Sequence, residues 1–224
     1  MDTGLAALKR RNYKADAGDT LYAALMNQIA MLKMLLMSDP LRRQILETVA
    51  TLNLPDCWIG AGFVRDAVWD SLHGYDVVEL NGDVDVIWYD VALSRSEIDR
   101  VFEQQLSDKV PGLLWSVKNQ ARMHLRNNDA PYSSAAEAMR HWPETATAVA
   151  ARLDSFGEVE INAPLGLEDL FALVLRPTPR FTTDKLSIFL DRVSSKSWID
   201  RYPKLSLIMP ETPSGGFRHS IKSG

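Results

Sequence analysis

The sequence predicts an α+β fold in which a small mixed sheet is flanked by helices, with a helical hairpin before it and helices after it. Three observations predict it. Apolar residues recur at helical spacing over roughly the first fifty residues. Short β-rich runs then alternate with capped helical runs as far as residue 163. Beyond that, helical spacing returns and is broken by prolines.

Taken in order, Leu21, Ala24, Leu25, Ile29, Leu32, Leu35 and Leu36 lie on one helical face, and Met26, Met31, Met34 and Met37 fill the same segment as adaptable core side chains. Asp39-Pro40 reads as an N-cap followed by proline in the first turn, opening a second helix through Leu41, Ile45, Leu46 and Val49. Residues 54–59 form a short strand ending at Gly60-Ala61-Gly62, and Phe63, Val64, Ala67, Val68 and Leu72 then mark a helix stopped by Gly74. Residues 84–89 are a β-rich strand, and Ser94 to Glu97 is a capping box opening a helix to about Leu106. Trp115 to Met123 alternates as a strand that would place Lys118, Gln120, Arg122 and His124 on one face. Ser134 to Glu137 is a second capping box. Two strands follow at 147–153 and 158–163, then helices at 167–175 and 184–199. The expected organisation is a helical segment (1–53) packed on a core (54–176), a C-terminal helical extension (177–210) and a disordered tail (211–224).

Composition narrows the function classes. The chain has 224 residues, 46% of them hydrophobic and 24% charged, with a net charge of −4. Its single cysteine, Cys57, excludes an intrachain disulfide and a cysteine-rich zinc site. The apolar stretch 23–37 is interrupted by Asn27, Gln28 and Lys33, and reads as too short and polar to span a bilayer. No secretory leader is visible, so a soluble, cytoplasmic protein is expected. Lys9, Arg10, Arg11 and Lys14 read as a solvated terminal segment, and the acidic balance gives no strong sign of a long nucleic-acid partner.

The chemistry concentrates in Gly60-Ala-Gly-Phe-Val-Arg-Asp66 and Gly82-Asp-Val-Asp-Val86. Residues i and i+2 of a strand share a face, so Asp83 and Asp85 project together. Two adjacent carboxylates repel unless a cation lies between them, and Mg²⁺ (or Mn²⁺) accepts one or two carboxylates together with phosphate oxygens. The glycine turn at Gly60, Ala61 and Gly62 leads into a helix N-terminus, a natural phosphate cradle that Arg65 could reinforce. Lys118 and Arg122 are further candidates for phosphate binding.

This constellation resembles the polymerase β-like nucleotidyltransferase superfamily, and its wording is similar to the head of the tRNA CCA-adding enzymes. There the turn is usually Gly-Gly or Gly-Ser, and the insert 75–81 is longer here. Residues 115–124, 165–171 and 176–179 resemble a bacterial nucleotidyltransferase-like family whose members mostly lack an assigned substrate. The absence of a following basic region argues against CCA addition itself. The resemblance implies metal-dependent transfer of a nucleoside monophosphate from a nucleoside triphosphate to a hydroxyl, with release of pyrophosphate. The acceptor could be a small molecule, a protein or a short RNA. Asp83 and Asp85 map onto the paired metal ligands. A third carboxylate is expected on a neighbouring strand, with Glu160 the first candidate and Asp154 the second. Two rivals remain: a nucleotidyltransferase-fold module without turnover, and a metal-dependent nucleotide-sugar transferase.

Overall fold

A computed structural model describes residues 3–76, 80 and 82–210, with side chains from residue 18 onward. In chain order the elements are α1 (Thr3–Ser38), α2 (Pro40–Ala50), β1 (Trp58–Gly60), α3 (Gly62–His73), β2 (Asp83–Trp88), α4 (Ser96–Lys109), β3 (Leu114–Asn119), α5 (Met123–Asn127), α6 (Ala135–Arg140), β4 (Ala150–Leu153), β5 (Val159–Asn162), α7 (Glu168–Phe171), β6 (Val174–Leu175), α8 (Leu186–Ser195), α9 (Trp198–Arg201) and β7 (Ser206–Leu207). The predicted tail and most of the insert after Asp76 lie outside the described residues.

Five strands form one mixed sheet in the order β3-β2-β1-β4-β5, parallel only between β2 and β3. Strand alternation gives the sheet two unlike faces. Val84, Val86 and Trp88 of β2 face the main core with Ile59, Val117, Ala151 and Val159 from the other strands. That face is covered by α1 to α3 through Leu32, Leu36, Ile45, Leu46, Phe63, Val64 and Val68. The opposite face carries a smaller cluster of Trp58, Ile87, Ala135, Met139 and Ala150, and it leaves the Asp83 end uncovered.

The hairpin forms as expected. Asp39 Oδ1 accepts the backbone N–H groups of Leu41 (2.9 Å) and Arg42 (3.1 Å). The Arg42 guanidinium pairs with the same aspartate and donates to the Phe63 carbonyl, tying the hairpin to α3. The stretch Gly18–Ser38 is long and apolar enough to cross a membrane by length and composition, contrary to the expectation from residues 23–37 alone. Only Leu32 and Leu36 of it are fully buried against the core; Leu21, Tyr22, Met26 and Met34 are exposed, so Met26 and Met34 do not fill the core as expected.

Several boundaries move. The strand expected to reach Met123 ends at Asn119, and a 3₁₀ turn and α5 follow. The buried Asn119 side chain ends it: Oδ1 accepts from Asp90 N (3.2 Å) and Ala121 N (3.0 Å), while Nδ2 donates to the carbonyls of Asp90 and Leu93. Lys118 and Arg122 therefore do not share a strand face. The helix expected from Ser94 starts at Ser96, with no side-chain cap bond. The second capping box forms, with Ser134 Oγ accepting the Glu137 N–H at 3.0 Å. The helix expected over 167–175 is one turn, broken where Leu173 takes φ +57, and β6 then pairs with β7. The last helix breaks at Ser197, φ +49, which turns Trp198 into the core.

Candidate active site

Strand parity places Asp83 and Asp85 at the exposed end of β2, on the face away from the main core. Asp83 is exposed and Asp85 half-buried. Ser116 lies opposite Asp85 on β3. Burial and the neighbouring Asp83 charge raise the Asp85 pKa to about 6, against the opposing pull of Ser116, Lys196 and Arg65. A carboxylate held this way is short of positive charge. Mg²⁺ or Mn²⁺ fits that need, because such ions take one or two carboxylates and complete their shell with water and phosphate oxygens. Among the described residues, no group of three or more Asp, Glu, His or Cys side chains could hold a metal.

Glu160 does not join the pair. Its parity matches, because it shares the outer face with Asp85 and Ile87. It sits on β5, however, three strand spacings from β2, or roughly 14 Å. Its carboxylate is held by Arg152 at 2.6 Å, and Arg152 in turn lies over the Trp58 ring. Asp154 is also committed: its Oδ1 accepts the N–H groups of Phe156 and Glu158 and shapes the β4–β5 hairpin. Sequence parity identifies the face of a strand but not the lateral order of strands.

The glycine turn comes to the cleft through Ala61. This residue has φ 52 and ψ −122, a conformation that costs an L-residue on the order of 1–3 kcal/mol. It precedes the first turn of α3 and lines the cleft, while its own N–H is taken by the Val149 carbonyl at 3.0 Å. Gly60 answers a packing demand, since a Cβ there would sit 2.8 Å from the Trp142 ring. Gly62 is the first helical residue, close to the Arg65 and Asp66 side chains.

The sequence-nominated cations are engaged elsewhere. Arg65 is buried, pairs with Asp66 at 2.7 Å, and lies over the rings of Trp69 (5.0 Å) and Trp198 (4.7 Å). Arg122 pairs with the buried Asp99. Lys118 does line the cleft, but its ammonium is 2.8 Å from Glu103.

The cleft itself has a volume of about 490 Å³ and runs from Asp85 and Ala61 to His141 and Arg126. Its far wall comes from the C-terminal segment: Phe181, Lys185, Ile188 and Arg192. These residues escaped sequence reasoning. The available signal was the i, i+3, i+7 spacing of Lys185, Ile188 and Arg192, which puts them on one helical face.

The fold agrees with the comparisons. A nucleotidyltransferase family model matches residues 47–207, most of the chain. The chain belongs to that nucleotidyltransferase family, within the polymerase β-like superfamily. An NMR structure described as revealing a CCA-adding enzyme head domain is 31% identical, with TM-score 0.72, over 80% of this chain and 95% of that one. The Thermotoga maritima CCA-adding enzyme in complex with tRNA is 20% identical, with TM-score 0.50, and shares the fold over 81% of this chain and 42% of that enzyme. A comparison with curated proteins finds no match.

Proposed function

We propose that this nucleotidyltransferase moves a nucleoside monophosphate from a nucleoside triphosphate to an acceptor hydroxyl, at a divalent cation held by Asp83 and Asp85. The supporting observation is the half-buried Asp85, its pKa raised by burial and by Asp83, at the mouth of a cleft rimmed by a helix N-terminus. The acceptor oxygen bonds to the α-phosphorus, the α–β bridging P–O bond breaks, and its electron pair leaves with pyrophosphate while the hydroxyl proton passes to water. A bound Mg²⁺ or Mn²⁺ would neutralise charge on the phosphates. The chain's own contribution is position: β2 fixes the carboxylates, Ser116 lies beside Asp85 on β3, and the first turn of α3 after Ala61 would offer its leading backbone N–H groups to phosphate oxygens.

Calorimetric titration of ATP and GTP with Mg²⁺ or Mn²⁺, comparing wild type with Asp83→Ala/Asp85→Ala, tests this reading. Metal-dependent binding that disappears in a folded double variant is the expected result. Failure of the folded wild type to bind any triphosphate would sink it.

A second reading is favoured by one observation: only two carboxylates converge among the described residues. In that reading the chain binds nucleotide without turnover. Slow metal-dependent release of pyrophosphate from bound triphosphate separates the two, because a binding module releases none.

A further inference from the structure

Two lysines and two arginines line the cleft that holds Asp85: Lys118, Lys185, Arg126 and Arg192. Three of them already face a carboxylate of this chain. Lys118 Nζ lies 2.8 Å from Glu103, and Lys185 Nζ lies 3.4 Å from Asp129 and donates to the Asn127 carbonyl at 2.7 Å. Arg192 Nε donates at 2.8 Å to Glu144, whose side chain is fully buried. Drawing Arg192 onto a ligand would leave that buried carboxylate without its counter-charge, which is costly. His141 also lines the cleft, and it stands between Asp129 and Glu137, each at 3.5 Å. Arg126 differs. Its side chain is exposed and has no ion pair or hydrogen bond among the described residues. Its backbone, by contrast, is pinned. The helix α5 ends where Asn128 takes φ +54, and the Asp129 N–H then bonds to the His124 carbonyl at 3.0 Å. Asn127, next to Arg126, is tied twice: its carbonyl accepts from Lys185 Nζ, and its Nδ2 donates to the Tyr132 hydroxyl at 3.1 Å.

We infer that Arg126 is the side chain of this cleft that binds the phosphate chain of the nucleotide; this rests on the nucleotidyl-transfer reading above. A triphosphate carries more negative charge than one divalent ion offsets, so an uncompensated cation in the same cleft has a defined partner. All the N–H donors of the Arg126 guanidinium are unspent, and their fork matches two phosphate oxygens. Engaging them displaces only water, whereas engaging Lys118 or Arg192 first breaks an ion pair. The pinned end of α5 confines the loss of freedom on binding to the arginine side chain itself. A basic residue in the last turn also suits a helix dipole, but α5 is only five residues long, so that contribution is small.

The test titrates the full-length chain with inorganic tripolyphosphate and separately with ATP, each with Mn²⁺, for wild type, Arg126→Ala, Arg126→Lys and Arg43→Ala. Tripolyphosphate removes any dependence on the base. Arg43 is exposed on α2, outside the cleft, so its removal matches the change in net charge without touching the site. Arg126→Ala is expected to weaken both ligands by about tenfold, and Arg126→Lys, which keeps the charge and loses the fork, by a smaller factor. Arg43→Ala should bind both as the wild type does. Arg126 has no partner to lose and alanine favours helices, so the variant keeps its fold. Wild-type affinity in Arg126→Ala overturns the assignment and leaves nucleotidyl transfer standing. Equal weakening in Arg43→Ala also overturns it, because net charge rather than a contact would then be responsible. Loss of ATP binding without loss of tripolyphosphate binding overturns it too, because Arg126 would then read the nucleoside. Failure of the wild type to bind either ligand overturns the assignment and the transfer reading together.

Discussion

The guanidinium of Arg65 lies 4.7 Å from the ring centre of Trp198, so the first turn of α3 and the helix α9 near the end of the described chain share one contact. Trp69 covers the same guanidinium at 5.0 Å and meets Trp198 edge-on, with ring centres 6.1 Å apart. The C-terminal segment is therefore built into the head of the fold. Arg65, which reads in the sequence as a phosphate ligand, serves as the joint.

Trp198→Ala should accordingly destabilise the whole protein. Trp198 is 4% exposed, and truncating a buried tryptophan costs about 3–5 kcal/mol. Urea unfolding measures this directly. A loss below about 1 kcal/mol would mean that the joint carries little of the stability.

The raised pKa of Asp85 makes a signed prediction for the metal-free protein. Between about pH 4 and pH 6 the folded chain holds a proton that the unfolded chain releases, so stability falls as pH rises through that window and stays lower above it. Asp85→Asn removes this penalty. It should stabilise the metal-free protein at pH 7.5 by about 1–3 kcal/mol, with the difference vanishing below about pH 4. Added Mn²⁺ should reverse the order by stabilising only the wild type. Thermal melts at pH 3.5 and 7.5, with and without Mn²⁺, read all four states. Identical melting of the two metal-free proteins at pH 7.5 would contradict the electrostatic account.

Glu160→Gln should leave metal-dependent triphosphate binding at the wild-type level. The Arg152–Glu160 pair is 37% and 42% exposed at its two side chains, so its loss should cost no more than about 1 kcal/mol. Abolished binding in this variant would mean that Glu160 reaches the carboxylate pair in the loaded state.

Ala61→Gly should stabilise the protein by about 1 kcal/mol, because glycine adopts φ 52 without the clash of a Cβ. The expected rise in Tm is about 2–4 °C. An unchanged or lower Tm would mean that the surrounding turn does not strain Ala61.

Much of the fold could be read from local pattern. Asp39-Pro40, Gly74 and Ser134 mark helix ends by the bonds and backbone conformations they favour, and those marks hold. The boundaries that moved answer to tertiary demands. Asn119 ends β3 because its amide is needed by the Asp90 loop, and the turn at Ser197 brings Trp198 under Arg65. Neither demand leaves a trace in the local sequence.

By itself the sequence determined the α+β class, the glycine turn entering α3, and the pairing of Asp83 with Asp85, because these follow from periodicity, caps and the two-residue repeat of a strand. Tertiary structure alone decided which charges surround that pair. Glu160 has the right parity but lies three strands away, Arg65 and Arg122 are paired to Asp66 and Asp99, and Arg192 arrives from a helix more than a hundred residues downstream. The physical reason is range. Backbone periodicity acts over a few residues, whereas strand order and ion pairing are settled by what the folded chain brings within a few ångströms.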